Sequence, residues 1–105
     1  MFIGYKPEKS KMKQIKIKTI YKTCNACPTQ YEGKLSDDST FYFRYKWGHL
    51  SIKVSEIPTD DIDEAVNGEE IINIDEGDEY DGDMSDSRVH YYMALFIRIL
   101  NDRLK

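Results

Sequence analysis

The sequence predicts an α+β fold: an antiparallel β-meander of four to five strands, packed with a C-terminal α-helix and a short helix near residues 60–66. Three observations carry that prediction. In several segments between residues 13 and 54, apolar residues recur at every second position, the period of a half-buried strand. Short turn-forming clusters such as SDDS separate most of these runs, which suits hairpins between antiparallel neighbours. From Val89 onward the apolar spacing changes to three and four, the period of an amphipathic helix.

The elements follow in order. Residues 13–21, KQIKIKTIY, place Ile15, Ile17 and Tyr21 on one face of a strand and Gln14, Lys16 and Lys18 on the other. After TCNACPT, the stretch from Gln30 to Leu35 sets Tyr31, Gly33 and Leu35 on one face. Phe41, Phe43, Tyr45 and Trp47 then alternate with Tyr42, Arg44 and Lys46. Leu50, Ile52 and Val54 alternate with Ser51, Lys53 and Ser55.

Loop lengths are constrained because a one-residue slip moves a strand's whole apolar set to the other face. Around SDDS, a four-residue loop would set Leu35 opposite Thr40 and mix the faces, so a loop of three or five residues is expected. At the next turn, Trp47-Gly48 would pair Tyr45 with Leu50, whereas Gly48-His49 would pair Tyr45 with Ile52. Both keep the core together.

Beyond Pro58, Thr59 is the expected N-cap of the short helix, with Asp60, Asp61 and Asp63 near its positive end and Asn67-Gly68 closing it. Residues 69–74, EEIINI, suit a short further strand, and residues 75–83 form an acidic loop by composition. The last helix runs from about Met84 to Leu104, capped by Asp83 or Ser85, with Val89, Met93, Phe96, Leu100 and Leu104 on its apolar stripe. Tyr92, Leu95 and Ile99 widen that stripe. The helix is therefore expected either to pack deeply on the sheet or to form a homodimer through Tyr91, Leu95 and Ile99.

At 105 residues the chain suits one domain spanning 1–105, with residues 1–12 a mobile or edge segment. Thirteen of the 27 residues from Asp60 to Asp86 are acidic and none is basic. Residues 1–55 carry +7, residues 56–87 carry −14 and residues 88–105 carry +3, so the net charge of −4 conceals a dipole. The first residues lack the apolar run of a secretory signal, and the longest apolar run, VHYYMALFIRIL, is twelve residues with a His and an Arg inside. A soluble, cytoplasmic protein with no membrane partner is expected.

Three constellations are candidates for function. The first is acidic: Glu69, Glu70, Asp75, Glu76, Asp78, Glu79, Asp81 and Asp83, with Tyr80 as an apolar anchor. The first seven lack the helix-capping role that accounts for Asp60, Asp61, Asp63, Asp83 and Asp86, so they either meet the Lys-rich first strand or face outward. No register of Gly68 or Gly82 gives an EF-hand loop.

The second is Cys24 and Cys27, whose C-x2-C spacing suits a shared metal. The remaining soft ligands, His49 and His90, fall at C-x2-C-x21-H-x40-H, which is not a finger spacing. The third is the polar face Tyr42, Arg44, Lys46 and Lys53, with Lys16 and Lys18 on the first strand, where cations interleave with an aromatic as on sheets that bind single-stranded nucleic acid.

No G-x-S-x-G, H-E-x-x-H, P-loop or Gly-rich phosphate fingerprint occurs. His49 reads as a surface residue at a hairpin tip and His90 as a packing residue. The sequence thus points away from an enzyme, with no cofactor, and toward an acidic adaptor or inhibitor whose 69–86 surface docks on a basic groove of a partner protein, itself a candidate nucleic-acid binder. The alternatives are a nucleic-acid-binding module using the basic face, and a metal-stabilised module through Cys24 and Cys27.

Overall fold

A computed structural model describes residues 14–24, 29–75 and 84–104. Five strands, β1 (Ile17–Cys24), β2 (Thr29–Leu35), β3 (Ser39–Lys46), β4 (His49–Pro58) and β5 (Glu69–Asp75), form one antiparallel sheet in the order β1-β2-β3-β4-β5. A short helix α1 (Ile62–Val66) lies between β4 and β5, and α2 (Asp86–Asp102) closes one face. The α+β meander is the fold expected from the sequence. Among the described residues no helix is long and apolar enough to cross a membrane.

Burial explains why the central strands keep strict alternation. Phe41, Phe43 and Tyr45 on β3 and Leu50, Ile52 and Val54 on β4 are buried on one face, against Val89, Tyr92, Met93 and Phe96 of α2. The Phe41 and Phe96 rings meet at 5.8 Å, and Tyr31 stands edge-on to Phe43 at 5.6 Å. Slipping either strand by one residue would expose these rings.

Both turns follow from that demand. Ser36, Asp37 and Asp38 form a three-residue loop between β2 and β3, so Gly33 faces Phe41. Asp38 takes a left-handed conformation (φ 69°), and its N–H donates to the Leu35 carbonyl at 2.9 Å. The Asp37 carboxylate accepts from the Ser39 N–H and hydroxyl at 3.0 and 2.6 Å. Between β3 and β4 the turn is Trp47-Gly48, with Tyr45 opposite Leu50. Both turn residues have positive φ, 53° and 78°, as a type I′ hairpin requires.

Four local expectations are corrected. Trp47 does not continue the apolar face of β3; it sits in the turn and is 59% exposed. The cap of α1 is Asp61, whose side chain accepts from the Asp63 N–H at 3.0 Å, while Thr59 lies two residues earlier and its hydroxyl accepts from the Asp61 N–H. Thr59 is held outside the helix because its carbonyl accepts from the Thr40 hydroxyl and its N–H donates to the Asp38 carbonyl.

The third correction is in β1. Ile17 pairs with Leu35 but Thr19 with Lys34, so a bulge at Lys18 shifts the alternation. Ile20, rather than Tyr21, then joins Ile17 on the helix-facing side. The cause is the neighbouring loop: the Lys16 N–H donates to Ser36 Oγ, the Ser36 N–H donates to the Lys16 carbonyl, and Lys18 pairs with Asp38 at 2.9 Å.

The fourth is at the end of α2. Ser85 caps its start, accepting from the Arg88 N–H, but the helix ends at Asp102, so Leu104 lies beyond it and is 42% exposed; Leu100, still helical, is half-buried. Of the residues suggested for a dimer, Leu95 and Ile99 pack partly against the core and Tyr91 is 65% exposed.

Candidate interaction surfaces

The face of the sheet opposite α2 is built from the residues that the alternation turns outward. One cross-strand row runs Gln30, Arg44, Ser51 and Asn73; the next runs Glu32, Tyr42, Lys53 and Glu70. α1 packs over the end of this face near Thr40 and Ser55, which are buried, as is Ala65 of the helix. The Thr40 N–H donates to Ser55 Oγ at 3.0 Å, so burial there leaves that donor satisfied. The rest of the face stays open.

A cleft of about 460 Å³ lies on this open part, lined by Tyr42, Arg44, Lys46, Trp47, Lys53 and Glu70 among others. The Lys46 ammonium sits 4.4 Å from the centre of the Trp47 ring, a cation–π contact that orients the exposed indole. Lys53 donates to the Val66 carbonyl of α1 at 3.3 Å, which fixes its stem across the cleft. Arg44 is exposed and has no ion pair among the described residues.

The acidic strand does not form one uniform patch. Glu69 turns to the helix side and pairs with Arg103 at 2.9 Å. Glu70 lies on the open face, where Asn73 and Ser51 each donate to its carboxylate at 2.7 Å. Those hydrogen bonds, Asn73's first, hold Glu70 below the usual glutamate range, with a smaller pull from Lys53. Asp75 pairs with His49 Nδ1 at 2.6 Å across the β4–β5 ladder. Of the two expectations for this strand, meeting the Lys-rich first strand is overturned: β1 and β5 occupy opposite edges of the sheet.

Glu76, Asp78, Glu79, Tyr80, Asp81 and Asp83 lie outside the described residues, as do Cys27 and the side chain of Cys24. Among the described residues no three His, Cys, Asp or Glu side chains are grouped to hold a metal ion. His49 is exposed beside the hairpin turn; His90, expected to be a packing residue, is exposed on the flank of α2 because it falls off the row that faces the core.

The basic-face residues Tyr42, Arg44, Lys46 and Lys53 are brought together, and Trp47 joins them. Sequence reasoning missed Trp47 by extending the alternation one residue too far. The available signal was the Trp-Gly dipeptide in the frame that pairs Tyr45 with Leu50. Comparison with protein-family models, curated proteins and solved structures gave no match.

Proposed function

We propose that the protein is a small protein-binding domain, an adaptor or inhibitor, that docks through the open sheet face. Trp47, Tyr42 and Arg44 form the anchor and the acidic margin that begins at Glu70 and Asp75 steers a basic partner surface onto it. The observation that carries this reading is the state of Trp47. Its backbone is left-handed, a conformation that costs ~1–2 kcal/mol for a residue with a Cβ, and its ring is exposed at the tip of the β3–β4 hairpin. The turn needs that backbone but prefers Asn, Asp or Gly in it, so an exposed indole there is not called for by the turn, whereas Trp, Tyr and Arg are the residues that dominate binding energy at protein interfaces. The acidic run from 69 to 86 supplies the long-range attraction that raises encounter rates.

A second reading is favoured by the same cleft: single-stranded nucleic acid stacking on Trp47 and Tyr42, with phosphates on Arg44, Lys46 and Lys53. The charge balance works against it, because Glu32, Glu70 and Asp75 share that face with those three cations.

Trp47 is the single tryptophan, so its fluorescence reports the site directly. Tagged wild-type protein should retain a partner protein through nuclease treatment, and Trp47→Ala or Arg44→Ala should lose it while the far-ultraviolet circular dichroism is unchanged. Quenching of Trp47 by oligothymidylate at micromolar concentration, with nuclease-sensitive capture, would establish the second reading instead.

A further inference from the structure

The charges on the open sheet face are sorted by strand. On the outward side β2 carries Glu32, β3 carries Arg44 and Lys46, β4 carries Lys53, and β5 carries Glu70 and Asp75. Two further outward cations are already taken, Lys34 by Asp60 and His49 by Asp75. A cationic band on β3 and β4 therefore runs between acids on β2 and acids on β5.

That band is not neutralised from within. Among the described residues Lys18, Lys34, His49 and Arg103 each meet a carboxylate, whereas Arg44, Lys46 and Lys53 meet none. Lys46 lies over the Trp47 ring and Lys53 donates to the Val66 carbonyl. Glu70, the acid in the lining of their cleft, turns its carboxylate to Ser51 and Asn73 instead. Three cations against one glutamate leave the cleft with a surplus of two positive charges. Arg44 and Lys46 are two residues apart on one strand, ~7 Å, and Lys53 is the diagonal neighbour of Arg44 across the ladder at ~7–8 Å. Side chains of that length reach one group placed between them.

We propose that the cleft receives a phosphorylated side chain of the partner, carried on an extended segment that is basic on both sides of it. This deepens the protein-docking reading and rests on it. A carboxylate answers one of the two surplus charges. A phosphomonoester carries about −1.5 to −2 at neutral pH and offers three acceptor oxygens, enough for the guanidinium fork of Arg44 and the two ammonium groups together.

The acids on either side select the flanks. β2 and β5 each lie ~7 Å from the middle of the band, one and a half strand spacings, which is about two residues of extended chain. Cations two positions before and after the phosphorylated residue therefore fall over Glu32 on one side and over Glu70 and Asp75 on the other. Nucleic acid has the wrong pattern for this face, because its phosphates recur every ~3.4 Å along a strand and those beyond the band would lie over the acids.

The test uses fluorescein-labelled nine-residue peptides and fluorescence anisotropy with the full chain. The peptide with a central phosphoserine and arginine two positions to either side is expected to bind at least tenfold more tightly than its serine or glutamate counterpart. It should also bind at least fivefold more tightly than a phosphopeptide with glutamate at the two flanking positions. Arg44→Gln with Lys46→Gln should remove the preference for phosphate, and Glu32→Gln with Asp75→Asn should remove only the preference for basic flanks. These side chains are at the surface, so the thermal midpoint should not move in either variant. Equal binding of the phosphoserine and glutamate peptides, or no binding, overturns the proposal. So does equally tight binding of a labelled oligothymidylate of the same length, which is the nucleic-acid outcome. Phosphatase treatment of the lysate separates this inference from the reading beneath it: a partner that Trp47→Ala loses but phosphatase leaves bound keeps the docking face and overturns the phosphate site.

Discussion

The two edge strands of the sheet are built by opposite rules. β5 is acidic, yet its carboxylates have partners: Glu69 meets Arg103, Glu70 meets Ser51 and Asn73, and Asp75 meets His49, while Ile72 is buried in the core with α2 residues. β1 is basic, carries a bulge, and leaves two isoleucines part-exposed on its inner side. It is fastened by polar ties instead: Asn101 holds both the N–H and the carbonyl of Ile15, at 2.6 and 3.1 Å, and the β2–β3 loop grips Lys16 and Lys18. A charge dipole along the chain thus becomes a dipole across the sheet. Hydrophobic burial secures one end of it and hydrogen bonding the other.

The sharpest way to break this comparison is to remove a matched apolar side chain from each edge. Ile72→Ala should destabilise the domain by ~3 kcal/mol, whereas Ile20→Ala should cost less than ~1 kcal/mol because its side chain is already part-exposed. Urea denaturation of both variants checks this, and equal losses would mean that β1 is as well packed as β5. Gly33→Ala should come next, at ~2 kcal/mol. A Cβ there would lie 2.1 Å from the Thr19 carbonyl of β1 and 2.7 Å from the Phe41 ring, so β1 must shift away.

Asn101→Ala should cost ~1–2 kcal/mol, the worth of two hydrogen bonds to a half-buried backbone. Hydrogen exchange should then quicken in β1 and not in β5. The smallest effect expected is at Glu70. Its carboxyl pKa is depressed in the folded state by its hydrogen bonds, so its contribution is present above the ordinary glutamate value and is lost as pH falls through the lower, folded one. Glu70→Gln should slightly flatten the acid limb of the stability profile; an unchanged limb would show that the bonds do not favour the charged form.

The same contrast explains what the sequence made legible. β2, β3 and β4 were readable, including the three-residue loop and one of the two turn frames, because burial punishes any other register. β1 was misread past Lys18 because an exposed edge places no such penalty on a bulge, and the cause of the bulge is a loop twenty residues away. Trp47 was misread because the alternation of β3 gives no sign of where it stops. The surfaces were legible in part: Tyr42, Arg44, Lys46 and Lys53 share a face by parity alone, but the partners of Glu69, Glu70 and Asp75 depend on which strand lies beside β5.

The clasp between Ile15 and Asn101 joins residues 86 positions apart. Hairpins such as β3–β4 close over a few residues and can form early, but this contact must wait for α2, and contacts of such separation slow folding. β1 can zip onto β2 and the β2–β3 loop as soon as those residues are available, but its tie to α2 cannot. The stretch around Ile15 is therefore fastened in two steps, the local ladder first and the long-range clasp afterwards.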